Sequence, residues 1–337
     1  MMDRWKNKRL LQTVVLLGQV ALVVLLFVAI WGTLQKAWTQ IASSEFVISW
    51  SGPGMVLAAV AYGLCLPFPA TYWYFALRHL GQRPTWYRAV RAHLCGHAGK
   101  YIPGKIFVVL IRAGLLKGKN VDTTVCVLSI FLEGLLQMAV GAFLVTAVLL
   151  WWTLHTGQTR LIPWAVGLFF VVAIPILPPV FKRIVKFLGV KKFSTEVNKV
   201  DQLPWKTFLW GIPLMLGFWT LLGLSYWGTI RGIGVPIPIS EFPICLAVMA
   251  GAMVAGFVFV FMPAGLGVRE MLLTGLLTPV LAGYTPNPEA AALVAAAVLR
   301  IEWLLVELVL AGSVYGFPGQ KENAGAPGCH GSGDSLK

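Results

Sequence analysis

Charge is scarce in this chain of 337 residues: only 12% are Asp, Glu, Lys or Arg, where soluble domains carry about 25%. That leaves too little polar surface to coat a water-soluble fold, and a 58% hydrophobic composition with a mean hydropathy of +0.77 places the chain in lipid. Acid is scarcer still, with 13 acidic residues against 27 basic ones. A net charge of +14 points to nucleic acid only when the basic residues share one patch, and here they gather at the ends of apolar runs. The five cysteines, Cys65, Cys95, Cys126, Cys245 and Cys329, show no paired spacing, which excludes a disulfide framework. Also missing are a serine-histidine-acid arrangement, a zinc-protease signature and a dinucleotide fingerprint, so no reaction is indicated.

What the chain does have is a series of long apolar runs. Leu10 to Leu34 follows Arg4, Lys6, Lys8 and Arg9 and exceeds the h-region of a signal peptide, about 7–15 residues, so it is expected to be an uncleaved first span. Met55 to Leu77, kinked by Pro67 and Pro69, brings the chain back. Thr123 to Trp152, Pro163 to Phe181, Trp205 to Thr229 and Glu289 to Phe317 supply the other full spans. Two further segments, 92–116 and 241–282, are apolar but broken, and each reads as a hairpin or re-entrant pair, although 241–282 also fits two full spans. The expected fold is therefore an all-α polytopic membrane protein of about six full spans and two broken hairpins, eight hydrophobic units in all. With the N- and C-termini placed in the cytoplasm, 22 of the 27 basic residues fall inside and only Lys36, Arg160 and Arg231 lie in outside loops. The order span, span, broken hairpin, span occurs in 10–152 and again, in the opposite orientation, in 163–317. This is the pattern of an inverted repeat. The tail 318–337, rich in Gly, Ser, Ala and Pro, is expected to be disordered.

The breaks carry the chemistry. Gly99-Lys100-Tyr101-Ile102-Pro103-Gly104-Lys105-Ile106 spells most of a nucleotide-binding loop, but Ile106 stands where magnesium binding needs Ser or Thr, and no strand precedes it. Gly104 frees the backbone, the arm starting at Lys105 offers unpaired amide groups, and Lys100, Lys105 and Arg112 add positive charge. Together these suit a phosphate. The competing reading is that the lysines are topology anchors reaching to the membrane surface. Pro263-Ala264-Gly265-Leu266-Gly267-Val268-Arg269-Glu270 is a loose echo, with Pro263, Gly265 and Gly267 matching the hinge role of Pro103 and Gly104, and Arg269 offering a second phosphate contact. Glu133, Glu270, Glu302 and Glu307, with Arg300, are ionisable residues within apolar runs, so each is expected to pair or to line a polar cavity. His93-Leu94-Cys95-Gly96-His97 places two histidines one turn apart, but no acidic partner is near in sequence. Helix packing or headgroup hydrogen bonding is the simpler expectation, and no metal is assigned. Gly251, Ala252, Ala255 and Gly256 have the small-residue spacing of close helix packing.

The two broken motifs, in this order, resemble those of the lysylphosphatidylglycerol synthase/flippase transmembrane family. Glu133 in the span after the first motif and Arg300 in the last span match the same pattern. The resemblance covers roughly residues 10 to 317 and implies a lipid flippase moving a phosphate-bearing phospholipid or glycolipid across the inner membrane, without a cofactor. The alternative is a non-transporting lipid-binding accessory of a glycolipid, hopanoid or aminoacyl-lipid pathway. The family's soluble aminoacyl-transferase domain has no counterpart in about 20 tail residues, so synthase activity is not expected. The expected partners are a membrane lipid and either a lipid-synthesis enzyme or a second copy of the chain, with no nucleic acid. Ala264 stands where many members have Gly, which makes the second turn less permissive.

Overall fold

The computed structural model describes residues 48–97, 106–116, 121–157, 162–174, 205–258 and 268–316, with Gln35, Gly99 and Val180 singly. The expected first span, the second basic loop, the tail and the two turns containing Pro103 and Pro263 lie outside the described residues. Those that are described form helices without any strand: α1 Gly52–Cys65, α2 Pro67–His79, α3 Trp86–His97, α4 Ile106–Leu116, α5 Thr123–Thr156, α6 Ile162–Ala173, α7 Trp205–Gly232, α8 Phe242–Val258, α9 Val268–Leu281 and α10 Pro288–Gly316. The segment Gly52–His79, α5, Lys206–Gly232 and Ile239–Phe257 are each long and apolar enough to cross a membrane.

Local sequence explains where these helices begin and end. Leu66 interrupts α1 and α2 directly before Pro67, which opens α2 at a position where a missing amide costs nothing. Asp122 caps α5, its carboxylate accepting from the amides of Thr124 at 2.7 Å and Val125 at 3.1 Å. The Asp122 amide in turn donates to the Gln82 side chain, tying the preceding loop to the same point. Gly157, at φ +72°, ends α5 in the left-handed region that glycine enters freely.

The first hairpin begins earlier than the apolar pattern predicts. Its first arm starts at Trp86 rather than near residue 92, because Ala89, Val90, Ala92 and His93 bury one face while Arg88 and Arg91 occupy positions that dilute the hydropathy. Its second arm is α4. In the second half, α8 is long enough to cross while α9 has 14 residues, so the two arms of 241–282 are unequal.

The helix neighbours follow a two-fold pattern. If α1/α2 is exchanged with α7, α3 with α8, α4 with α9 and α5 with α10, the neighbours map onto themselves: α3 packs on α10 as α8 packs on α5, α4 on α5 as α9 on α10, and α2 on α3 as α7 on α8. The centre of this exchange is the α1–α7 crossing. There a Cβ on Gly54 would stand 2.6 Å from the Gly232 amide nitrogen, and one on Gly228 would stand 3.0 Å from that of Ala58. The pairs Gly54/Ala58 and Gly228/Gly232 are thus small-xxx-small faces that bring two backbones together. Around this crossing lies the main core, with Trp219, Tyr226, Met215 and Leu222 fully buried, while a smaller core of Trp73, Leu77, Ala92, Ala113 and Leu116 sits beneath the first hairpin. Val56, Val60, Leu64, Phe131, Phe143, Leu305, Leu308 and Val309 are exposed. An interior and an exterior that are both apolar fit a bilayer as the surrounding solvent.

Candidate functional site

The smaller core holds a buried charge cluster. Arg112, on the second arm of the first hairpin, donates from Nη1 to Glu133 Oε2 at 2.6 Å, and the two side chains are 5% and 4% exposed. The other carboxylate oxygen, Oε1, lies 2.9 Å from His93 Nε2, and His93 is buried on the first arm. One carboxylate on α5 therefore clasps both arms of the hairpin. A Cβ on Gly96 would stand 2.4 Å from Arg112 Cγ, so the glycine leaves the path that the arginine stem follows. The guanidinium carbon lies 5.4 Å from the Trp73 ring centroid, and Trp73 is fixed by donating from Nε1 to Ser129 Oγ at 2.8 Å. His97 stacks behind His93 at 5.7 Å. Among the described residues the Tyr72 hydroxyl, His93 Nδ1 and Arg112 Nε are buried without hydrogen-bond partners.

The second half carries a related cluster. Arg269, on the first turn of α9, sits over the Trp303 ring at 4.5 Å. Trp303 stacks on Tyr62 at 4.5 Å with the planes 5° apart, and donates to Ser225 Oγ at 3.1 Å. Tyr62 donates to the Glu307 carboxylate, and Thr229 donates to Glu302 Oε2 at 3.0 Å. An arginine of α4 thus stands over a tryptophan of α2, and an arginine of α9 over a tryptophan of α10. The described contacts include the Arg112–Glu133 ion pair in the first cluster and the Tyr62–Glu307 and Thr229–Glu302 hydrogen bonds in the second.

Of the expected phosphate contacts, Arg112 and Arg269 are described, whereas Lys100, Gly104 and Lys105 lie outside the described residues, as do the hinges Pro103, Pro263, Gly265 and Gly267. Glu270 is on the first turn of α9 with its side chain outside the description. Arg300 and Glu302 both belong to α10, where Glu302 is buried with Thr229. No acidic residue stands near His93 in sequence, but the fold supplies Glu133 from 40 residues away. Trp73, Trp303 and Tyr62 carry no mark of this role in the sequence, since an aromatic residue in an apolar run gives no sign of a cation above the ring. No group of three potential metal ligands occurs among the described residues.

The family model described as lysylphosphatidylglycerol synthase TM region matches residues 13–308, which span both clusters and both hairpins. Comparison with curated proteins gives no match.

Proposed function

Because the chain belongs to the lysylphosphatidylglycerol synthase TM region family, whose members are membrane proteins concerned with lipid handling, we propose that it translocates a phosphate-bearing phospholipid or glycolipid across the cytoplasmic membrane. The observation that carries this reading is the pair of arginines, Arg112 over Trp73 and Arg269 over Trp303, one on the second arm of each hairpin. A cation inside an apolar helix bundle is costly, and such residues mark binding sites and pathways for charged cargo. Arginine suits phosphate because its planar fork makes two hydrogen bonds at once. In the resting protein Glu133 occupies the Arg112 fork, so a lipid phosphate enters by displacing the carboxylate. Lys100 and Lys105, beside the first break, guide the headgroup towards it. Glu133, Glu270, Arg300 and Glu302 supply polar contacts along the route, and the breaks around Pro103 and Pro263 act as hinges. The two hairpins open from opposite faces, with both termini cytoplasmic, in agreement with the distribution of basic residues.

Reconstitution tests this. Vesicles containing the protein are expected to expose labelled inner-leaflet phospholipid faster than empty vesicles, and Lys105→Ala and Arg269→Ala are expected to slow that exposure and to deplete lipid copurifying with the protein by mass spectrometry. Equal rates with and without protein, for phospholipids, aminoacylated lipids and polyprenyl-linked sugars alike, refute translocation. Lipid that copurifies but does not move supports the accessory role instead.

A further inference from the structure

Charge balance at the first cluster adds a second ligand to the proposed transport cycle. Arg112 is a permanent cation, Glu133 its anion, and His93 completes the pair as a neutral ring donating Nε2–H to Oε1. That tautomer leaves Nδ1 as an acceptor, in keeping with its having no hydrogen-bond donor among the described residues. With His93 neutral, the cluster carries no net charge, as its burial demands. A lipid phosphodiester that takes the Arg112 fork brings one negative charge and frees another on Glu133. A buried carboxylate without a cation is not tolerated, so a compensating positive charge must follow.

We infer that the Glu133–His93 pair is the binding site for a coupling proton, which is taken up when a lipid phosphate displaces Glu133 from Arg112. This rests on the translocation reading above. The Arg112–carboxylate bond opens, the phosphate oxygens accept from the guanidinium, and one proton from water joins the carboxylate–imidazole pair, so that the buried site is again neutral. When the lipid leaves, the proton leaves with it and the ion pair closes. Among the described residues, Tyr72 from α2, His97 from α3 and Cys126 on α5 itself are the other titratable groups near the cluster, while α10, which packs on α3, brings Glu289, Arg300, Glu302 and Glu307. Of the remaining helices packed on α5, described α6 bears no titratable residue, α7 brings Lys206, Tyr226 and Arg231, and α8 brings Cys245, none of which touches Glu133.

Calorimetric titration of the detergent-solubilised protein with dihexanoyl phosphatidylglycerol, at neutral pH in buffers of different ionisation enthalpy, counts the protons. The wild type is expected to take up about one proton per lipid bound, and His93→Gln to change the pH at which that uptake is half-complete. Glu133→Gln is expected to bind with an uptake near zero. Binding by the wild type without proton uptake overturns the coupling and leaves translocation standing. Neither binding nor flip by the wild type, for phosphatidylglycerol, aminoacylated lipids and polyprenyl-linked sugars alike, overturns both. Should Glu133→Gln fail to fold, the wild-type count and the His93→Gln shift decide the matter.

Discussion

Removing Glu133 or Arg112 singly and then together tests the buried pair most directly. The contact is 2.6 Å long and both side chains are almost fully withdrawn from the surface, so solvent does not soften the loss. Glu133→Gln leaves a guanidinium cation facing a neutral amide, and losing one member of a buried pair costs about 3–5 kcal/mol. Arg112→Met leaves the carboxylate beside His93, which is able to take a proton and restore neutrality, so the loss is expected to be smaller. The double variant Arg112→Met/Glu133→Gln removes both charges, and exchanging a whole buried pair for neutral residues is often nearly neutral. The double variant should therefore unfold later than Glu133→Gln alone, with a coupling of roughly 0.5–3 kcal/mol between the sites. Thermal unfolding in detergent, followed by tryptophan fluorescence, ranks the four proteins. If the two losses simply add, the pair contributes nothing as a pair and the electrostatic account of the cluster is wrong.

Gly54→Ala places a methyl group against the Gly232 backbone, which no rotamer change relieves, and should cost about 1–3 kcal/mol. Gly275→Ala in α9, with open space around the added carbon, should hold or raise the unfolding temperature by the same assay, since alanine favours a helix by about 1 kcal/mol. Tyr62→Phe deletes the hydroxyl bonded to Glu307 and should lower stability by about 1–3 kcal/mol, whereas a wild-type melting curve would show that this bond is dispensable. Outside the spans, burial first and then the hydrogen-bonded Glu241 carboxylate raise the Tyr284 phenol above its usual 10.0. A raised folded-state value means that the contribution is intact below about pH 10 and is lost as pH rises through the folded value. Wild type and Tyr284→Phe should therefore converge in stability in strongly alkaline detergent solution, and parallel pH profiles would contradict this.

Much of the architecture is legible because membrane spans announce themselves by composition. Thr123 to Trp152 and Trp205 to Thr229 fall inside α5 and α7, which extend them by only a few residues, and the last run is α10 from Pro288 to Gly316. The start of α3 is not legible in the same way, since Arg88 and Arg91 lower local hydropathy on a helix whose opposite face is buried. For the site, the sequence marks Arg112 and Glu133 as ionisable groups that need partners, but it has no means of matching them. Their pairing depends on α4 and α5 converging, and His93 joins only because α3 lies alongside. Aromatic residues such as Trp73 and Trp303 are common in apolar runs, and only the fold distinguishes one that bears a cation from one that faces lipid.

The place of Glu133 along α5 has a consequence of its own. At 1.5 Å per residue, the carboxylate lies about 16 Å from the Asp122 cap, and Trp151 lies about 27 Å farther on, a span comparable with the thickness of a bilayer with its headgroups. A charge reaching Glu133 from the capped end has therefore crossed roughly two-fifths of the membrane. At about 2.3 kcal/mol per charge for each 100 mV across the full thickness, that journey is biased by about 0.9 kcal/mol. The proton proposed for this carboxylate would then answer to membrane voltage as well as to pH, and its uptake is expected to differ between an energised membrane and a de-energised one.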